Sequence, residues 1–212
     1  MRVNSQTMLS QNITLAYDSL NLEVINRGGL RGLVDGRPKP VIMDTPEMIV
    51  ALYPPEPTVI QIGGRRIGIT LPKQSQDIGE VPLWEVALRC DKLVPKSTPV
   101  AYGFNYDLRV AVENGDTRKV MINLFVSNPQ RIEDIFGGQL VSSRPNIDFR
   151  RGQTLYNLAL EPVGEYSIDV HLNAHFEFEG IALPPVDGLE ASFRKEFGYL
   201  LEVLPKLLDG GK

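Results

Sequence analysis

Residues Ser167 to Gly180 read "SIDVHLNAHFEFEG", and the alternation in this stretch decides the fold. In an extended strand successive side chains point to opposite faces, so Asp169, His171, Asn173, His175, Glu177 and Glu179 share one side. Ile168, Val170, Leu172, Ala174, Phe176 and Phe178 share the other. Alternation kept up over the whole segment is what an antiparallel sheet with one packed and one solvated face requires.

Immediately upstream, "RPNIDFRRGQTLYNLALEP", Arg144 to Pro162, reads as one or two further strands. A loop at Val163-Gly164-Glu165 sets Leu160 opposite Ile168, Leu158 opposite Val170 and Tyr156 opposite Leu172, which keeps the apolar face intact. The same register sets Asn157 opposite His171, Gln153 opposite His175 and Arg151 opposite Glu177. It places no carboxylate and no further imidazole opposite either histidine.

"VAYGFNYDLRVAVENGDTRKVMINLFV", Val100 to Val126, continues the strand pattern. Tyr102, Phe104, Tyr106, Leu108, Val110 and Val112 alternate with Gly103, Asn105, Asp107 and Arg109. A turn at Asn114-Gly115-Asp116 predicts a hairpin pairing Val110 with Val120, Leu108 with Ile122, Tyr106 with Leu124 and Phe104 with Val126. A second hairpin is predicted in "TVIQIGGRRIGITL", Thr58 to Leu71, about Gly63-Gly64. Leu20, Leu22 and Val24 alternate as in a short strand, and Thr45 to Tyr53 fits a helix or a strand equally.

Helical spacing is confined to isolated segments. Leu83, Val86, Ala87, Cys90, Leu93 and Val94 form a stripe behind Pro82. "SNPQRIEDIFGG" predicts a helix capped by Asn128, burying Ile132, Ile135 and Phe136 and stopped at Gly137. The segment from Asp187 to Leu204 carries an Asp187/Glu190 capping box and an apolar face of Leu189, Phe193, Phe197, Leu200, Leu201 and Leu204, and Pro205 is expected to end or kink it. Strands joined by hairpins, with helices inserted singly, give an α+β fold: a mostly antiparallel sheet with an amphipathic C-terminal helix packed on one face. The polar stretch Lys73 to Glu80 suggests an N-terminal β-rich portion, 1–73, and an α+β portion, 81–212, or one continuous domain. No internal repeat is visible in the sequence.

Composition narrows the chemistry. With 42% hydrophobic and 23% charged residues in 212, the chain has globular proportions. A net charge of -4 gives no long-range attraction to phosphate backbones. The N-terminal stretch has no apolar run after Arg2, and there is no run of eighteen apolar residues, so neither export nor a membrane span is expected. A single cysteine fits a reducing, cytoplasmic compartment, and Cys90, inside a helical stripe, reads as a small buried hydrophobe rather than a nucleophile.

No catalytic constellation emerges. With a rise of roughly 3.4 Å per residue, His171 and His175 stand about 13 Å apart, too far to chelate one ion from a regular strand. They remain the candidates if a metal binds. If a catalytic site exists, His171 with Asp169 and Arg109 is its expected place, provided that a strand such as Asn105-Asp107-Arg109 returns beside this face. The sequence thus points to a non-enzymatic cytoplasmic protein without a cofactor, which binds a protein partner or self-associates through an edge strand or the Asp187–Leu204 helix. One alternative is a small enzyme or a ligand- or metal-binding protein using Asp169, His171 and His175. The other is RNA or anion binding through Arg27, Arg31, Arg37, Lys39, Arg65 and Arg66.

Overall fold

A computed structural model describes residues 2–55, 57–72, 81–113, 115–177 and 182–209. Nine strands form one sheet: β1 Val3–Tyr17, β2 Val41–Asp44, β3 Met48–Tyr53, β4 Thr58–Gly63, β5 Arg66–Pro72, β6 Pro99–Val112, β7 Asn146–Arg151, β8 Thr154–Pro162 and β9 Ser167–Glu177. Among the described residues four α-helices accompany them: α1 Leu83–Asp91, α2 Thr117–Phe125, α3 Pro129–Phe136 and α4 Val186–Leu208. The strand order is β2-β3-β4-β5-β1-β6-β9-β8-β7, and every neighbouring pair is antiparallel. This is the expected α+β class.

One face of the sheet is apolar from β3 to β7. Ala51, Ile60, Ile69, Ile13, Phe104, Ala174, Tyr156 and Phe149 lie opposite one another in a single row. Helices α1 and α4 cover it. Trp84 of α1 meets Phe193 of α4 at 5.9 Å between ring centres, and Phe193 also meets Phe104 at 5.2 Å and Tyr106 at 5.0 Å. The buried Tyr106 hydroxyl donates to the Phe193 carbonyl at 2.6 Å, so helix and sheet are joined by a directed contact as well as by burial. Leu189, Phe193, Phe197, Leu200, Leu204 and Leu208 of α4 are all buried. Its apolar face is spent on the sheet.

Several expectations are corrected. The segment after β6 forms α2 rather than a returning strand: Asp116 caps it by accepting from the Arg118 N–H at 3.1 Å, and Thr117 and Met121 on one helical face are buried. A short apolar run fits either period, and the partner sites of β6 are already filled by β1 and β9. Asn114 of the predicted turn lies outside the described residues, as do Lys73 to Glu80 and the pair Phe178 and Glu179. Leu20, Leu22 and Val24 do not make a strand; Leu22–Val24 is a single 3-10 turn capped by Asn21. In α3 the caps are as predicted, with Asn128 accepting from Arg131 N–H and Gly137 left-handed at φ 64. Ile135 and Phe136, expected to be buried, are instead 66% and 81% exposed. The Asp187/Glu190 box does not form: Pro185 precedes α4 without a side-chain cap, and Glu190 pairs with Arg194. The helix also runs through Pro205 to Leu208, held there by burial of Leu204 and Leu208.

The β4–β5 hairpin turns one residue later than predicted. Gly63 and Arg66 are the last pair, and Gly64 and Arg65 adopt φ 56 and 65, the two positive angles that match the twist of the strands. Gly63 answers to a different constraint, since a Cβ there would meet the Glu47 carbonyl oxygen at 2.7 Å.

A repeat that the sequence does not show is present in the topology. On each side of the β1–β6 seam a long strand is followed by an excursion, by a three-stranded meander (β3-β4-β5 or β7-β8-β9) whose last strand pairs back on the long one, and then by a helix. Asn12 of β1 and Asn105 of β6 face each other at the centre of this pseudo-two-fold.

Candidate functional site on the polar sheet face

The face opposite the helices carries the polar residues of β9, arranged in rows fixed by strand register. The central row is Thr70, Asn12, Asn105, Asn173, Asn157 and Asp148. Its amides are linked: Asn12 Nδ2 donates to Thr70 Oγ1 at 2.9 Å, Asn105 Nδ2 to Asn12 Oδ1 at 2.8 Å, and Asn173 Nδ2 to Asn105 Oδ1 at 2.7 Å. Asn157 Nδ2 donates to both Asn146 Oδ1 and Asp148 Oδ1 at 2.7 Å.

The next row is Ser10, Asp107, His171, Ala159 and Asn146. His171 Nδ1 lies 2.7 Å from Asp107 Oδ1, and the Ser10 hydroxyl donates to Asp107 Oδ2. Partial burial of Asp107 opposes its charge, but the hydrogen bonds from His171 and Ser10 outweigh it and hold the carboxyl below its ordinary value. An ionised Asp107 can only accept, so a neutral His171 carries its proton on Nδ1 and keeps the lone pair on Nε2. Ser10 reaches this row because β1 is irregular between Met8 and Ser10. The extra residue, Leu9, switches the parity of the strand and presents the hydroxyl on the polar side.

A third row contains Arg109, Asp169 and Glu161. Arg109 grips Asp169 with Nε at 2.7 Å and a terminal nitrogen at 2.9 Å, the bidentate geometry that suits guanidinium and carboxylate. Arg144 pairs with Glu161 at 3.2 Å. Between these rows opens a groove of about 510 Å³, lined among others by Ser10, Asp107, Arg144, Asn146, Ala159 and His171.

Of the residues singled out from sequence, the structure brings together His171, Asp169 and Arg109, though in two separate pairs: Asp169 serves Arg109, and Asp107 serves His171. As expected, β8 sets no carboxylate opposite either histidine, and the strand carrying Asn105, Asp107 and Arg109 does return beside this face, as β6, where it supplies Asp107 opposite His171. The β8–β9 register is also shifted by two residues from the prediction, with Leu160 opposite Val170 and Ala159, not Asn157, opposite His171. Leu155 stands opposite His175, and Arg151 pairs within β7 and β8 rather than with Glu177. The loop is longer because the Thr117 hydroxyl donates to the Gly164 carbonyl and the Thr117 N–H to the Glu165 carbonyl. A two-residue slip leaves every side chain on its face, so hydrophobicity does not discriminate between the registers.

His175 lies apart, 3.6 Å from Glu177, beside a smaller groove with Thr14, Arg66 and Gly103. No set of three or more His, Cys, Asp or Glu residues placed to hold a metal occurs among the described residues. Cys90 is fully buried, and burial pushes its thiol well above the ordinary range, with the charge of Asp91 adding to the effect. The arginine-rich loop is anchored by its apolar residues and by Arg27, while Arg31 and Lys39 are exposed. Leu30, Leu33 and Val34 are buried, and Arg27 binds Asp44 at 2.8 Å and the Ile25 carbonyl at 2.9 Å. No helix among the described residues is long and apolar enough to cross a membrane.

Sequence reasoning missed Ser10, Arg144 and Asn146. For Asp107 the signal was present in the Asn105-Asp107-Arg109 alternation. No family model and no curated protein matches this chain.

Proposed function

We propose that this chain is a non-enzymatic cytoplasmic protein that acts by association, and that α3 is the surface through which it pairs with a second copy of itself. The observation that carries the reading is that a helix capped at both ends, with an apolar stripe, buries no residue. An isolated helix of eight residues is marginal in water, and helices of this length draw their stability from packing an apolar face. Ile135, Phe136 and the nearby Val141 are all exposed, and such a patch favours a protein interface.

Charge supports a copy of the same helix as the occupant. Among the described residues the Arg131 side chain has no ion-pair partner, and Asp134 on the next turn meets only Gln130, at 2.8 Å. An antiparallel two-fold pairing of α3 sets Arg131 of one copy toward Asp134 of the other, the self-complementary pattern that an isologous interface requires. The sheet edges are less suited to the role. β2 has four residues and follows Pro38 and Pro40, and β7 carries Asp148, Arg150 and Arg151; short or charged edges discourage strand addition. The cytoplasmic part of the proposal rests on the single, buried thiol.

Light scattering at micromolar concentration is expected to give a dimer mass, and Phe136→Asp is expected to give a folded monomer with the parent's circular dichroism and a melting temperature that, unlike the parent's, does not rise with protein concentration. A monomeric parent protein, or a dimer that survives Phe136→Asp together with Ile135→Asp, overturns the reading.

A further inference from the structure

We infer that the groove beside His171 is a binding site for a small neutral polyhydroxylated ligand, in which His171 Nε2 accepts a hydrogen bond from a ligand hydroxyl. The inference does not depend on the association of α3. It rests on a break in an otherwise filled pattern. In the central row every position from Thr70 to Asp148 carries a polar side chain. In the His171 row, hydroxyl, carboxylate and imidazole follow one another from β1 to β9, β8 then contributes only the methyl of Ala159, and Asn146 stands beyond it on β7. Adjacent strands are about 4.8 Å apart, so a gap of roughly 10 Å separates the His171 and Asn146 backbones with nothing polar between them. The groove lies there.

Both sides of the gap offer hydrogen-bonding capacity that no contact among the described residues uses. The two nitrogens of an imidazole face away from each other, and Nδ1 is committed to Asp107, so the lone pair of Nε2 is directed away from β6 toward the Ala159 side. Across the gap, Asn146 Oδ1 already accepts from Asn157, which leaves the Asn146 amide N–H groups as donors. One hydroxyl placed over Ala159 can donate to His171 and accept from Asn146.

Charge selects a neutral ligand. Arg109 neutralises Asp169 and Arg144 neutralises Glu161, while the two oxygens of Asp107 are taken by His171 and Ser10, which leave its charge in place. An anion would have to displace Glu161 from Arg144 and would meet the charge of Asp107, and a cation would have to displace an arginine, or the His171 and Ser10 contacts, to reach a carboxylate. A polyol needs neither, since its further hydroxyls can use the remaining lone pairs of Asp169 and Glu161.

The test uses the full chain with labelled imidazole nitrogens. The chain has only two histidines, so His175 serves as an internal reference. In the free protein at neutral pH, His171 is expected to carry its proton on Nδ1. Titration with glycerol, glucose, ribose and myo-inositol is expected to shift the His171 Nε2 and Asn146 side-chain amide signals saturably with at least one of them, and to leave His175 unmoved. Asp107→Asn should weaken the response severalfold by releasing the tautomer. Ala159→Asn, which fills the gap as Asn157 fills the row beside it, should abolish the response while the remaining amide spectrum stays that of the parent. His175→Ala should change nothing. A His171 proton on Nε2, a response that persists in Ala159→Asn or is centred on His175, no saturable shift with any of these polyols, or a response to inorganic phosphate instead, each overturns the inference.

Discussion

Asp107 shows how much one position changes the reading of its neighbours. Its carboxylate turns His171 from a solvated imidazole into one with a fixed orientation, and the same contact makes stability depend on acidity. Because the folded carboxyl titrates below its unfolded value of about 3.9, its contribution is present above that pH and fades as pH falls through the lower folded value. Urea unfolding at intervals from about pH 6 down to about pH 3 is therefore expected to show stability falling at the acid end, with a shallower fall in Asp107→Asn. Equal slopes would mean that the contact contributes nothing. Glu196 makes a contrasting case on the covered face. Its side chain is 4% exposed, and it accepts from Tyr156 at 2.7 Å and Arg151 at 2.9 Å, while Arg151 stacks over Tyr199 at 3.8 Å. Glu196→Ala leaves the buried Tyr156 hydroxyl short of its acceptor, but Arg151 is half exposed and returns to water, so the expected loss is about 2 kcal/mol. Glu196→Gln, which keeps an acceptor, should cost less in the same denaturant titration.

At the scale of elements, α3 and α4 divide the work of the helices. α4 is locked to the sheet by Phe193 and Tyr106, whereas α3 is held by its caps. Gly137 closes α3 in the left-handed region, where an added Cβ costs about 1 to 2 kcal/mol. In the monomeric Phe136→Asp background, where α3 buries nothing, Gly137→Ala is expected to speed amide exchange over Pro129 to Phe136 without lowering the melting temperature further. A drop in global stability would show that α3 is coupled to the core. The same division explains a failed expectation. The apolar residues of α3 follow helical spacing as faithfully as those of α4, and periodicity marks a face that wants covering without saying whether the chain itself covers it.

Across the whole molecule, the β1–β6 seam joins the two halves of the sheet. It is paired from Val3 to Tyr17, and the buried side chains of both halves form a single cluster. A first portion ending at residue 73 would leave the β6-facing edge of β1 open along its length. The expected outcome is one calorimetric transition with matching van't Hoff and calorimetric enthalpies, and two resolved transitions would instead support separately folding portions. The pseudo-two-fold is legible only at this scale. The equivalent strands share an alternation of apolar and polar residues, as in "RIGITLP" and "SIDVHLN", but the pattern tolerates many residues at each position, so the repeat lives in the path of the chain.

The sequence by itself determined what depends on neighbours along the chain. The two faces of β9 follow from period-two alternation, the ends of α3 from Asn128 and Gly137, and the α4 stripe from helical spacing, because each is a local geometric consequence of residue order. Tertiary structure decided what depends on neighbours in space. Strand β1 was hidden because the irregularity at Leu9 switches its buried side, from Met8 to Gln11, Ile13 and Leu15, which breaks the period a linear reading needs. β6 lies between β1 and β9, rather than against its own sequel, because partner choice in a sheet is settled by competition among all strands. So it was with the groove: Ser10, Asp107, His171 and Asn146 come from four strands spread along most of the chain, and only strand order and register put them in one row.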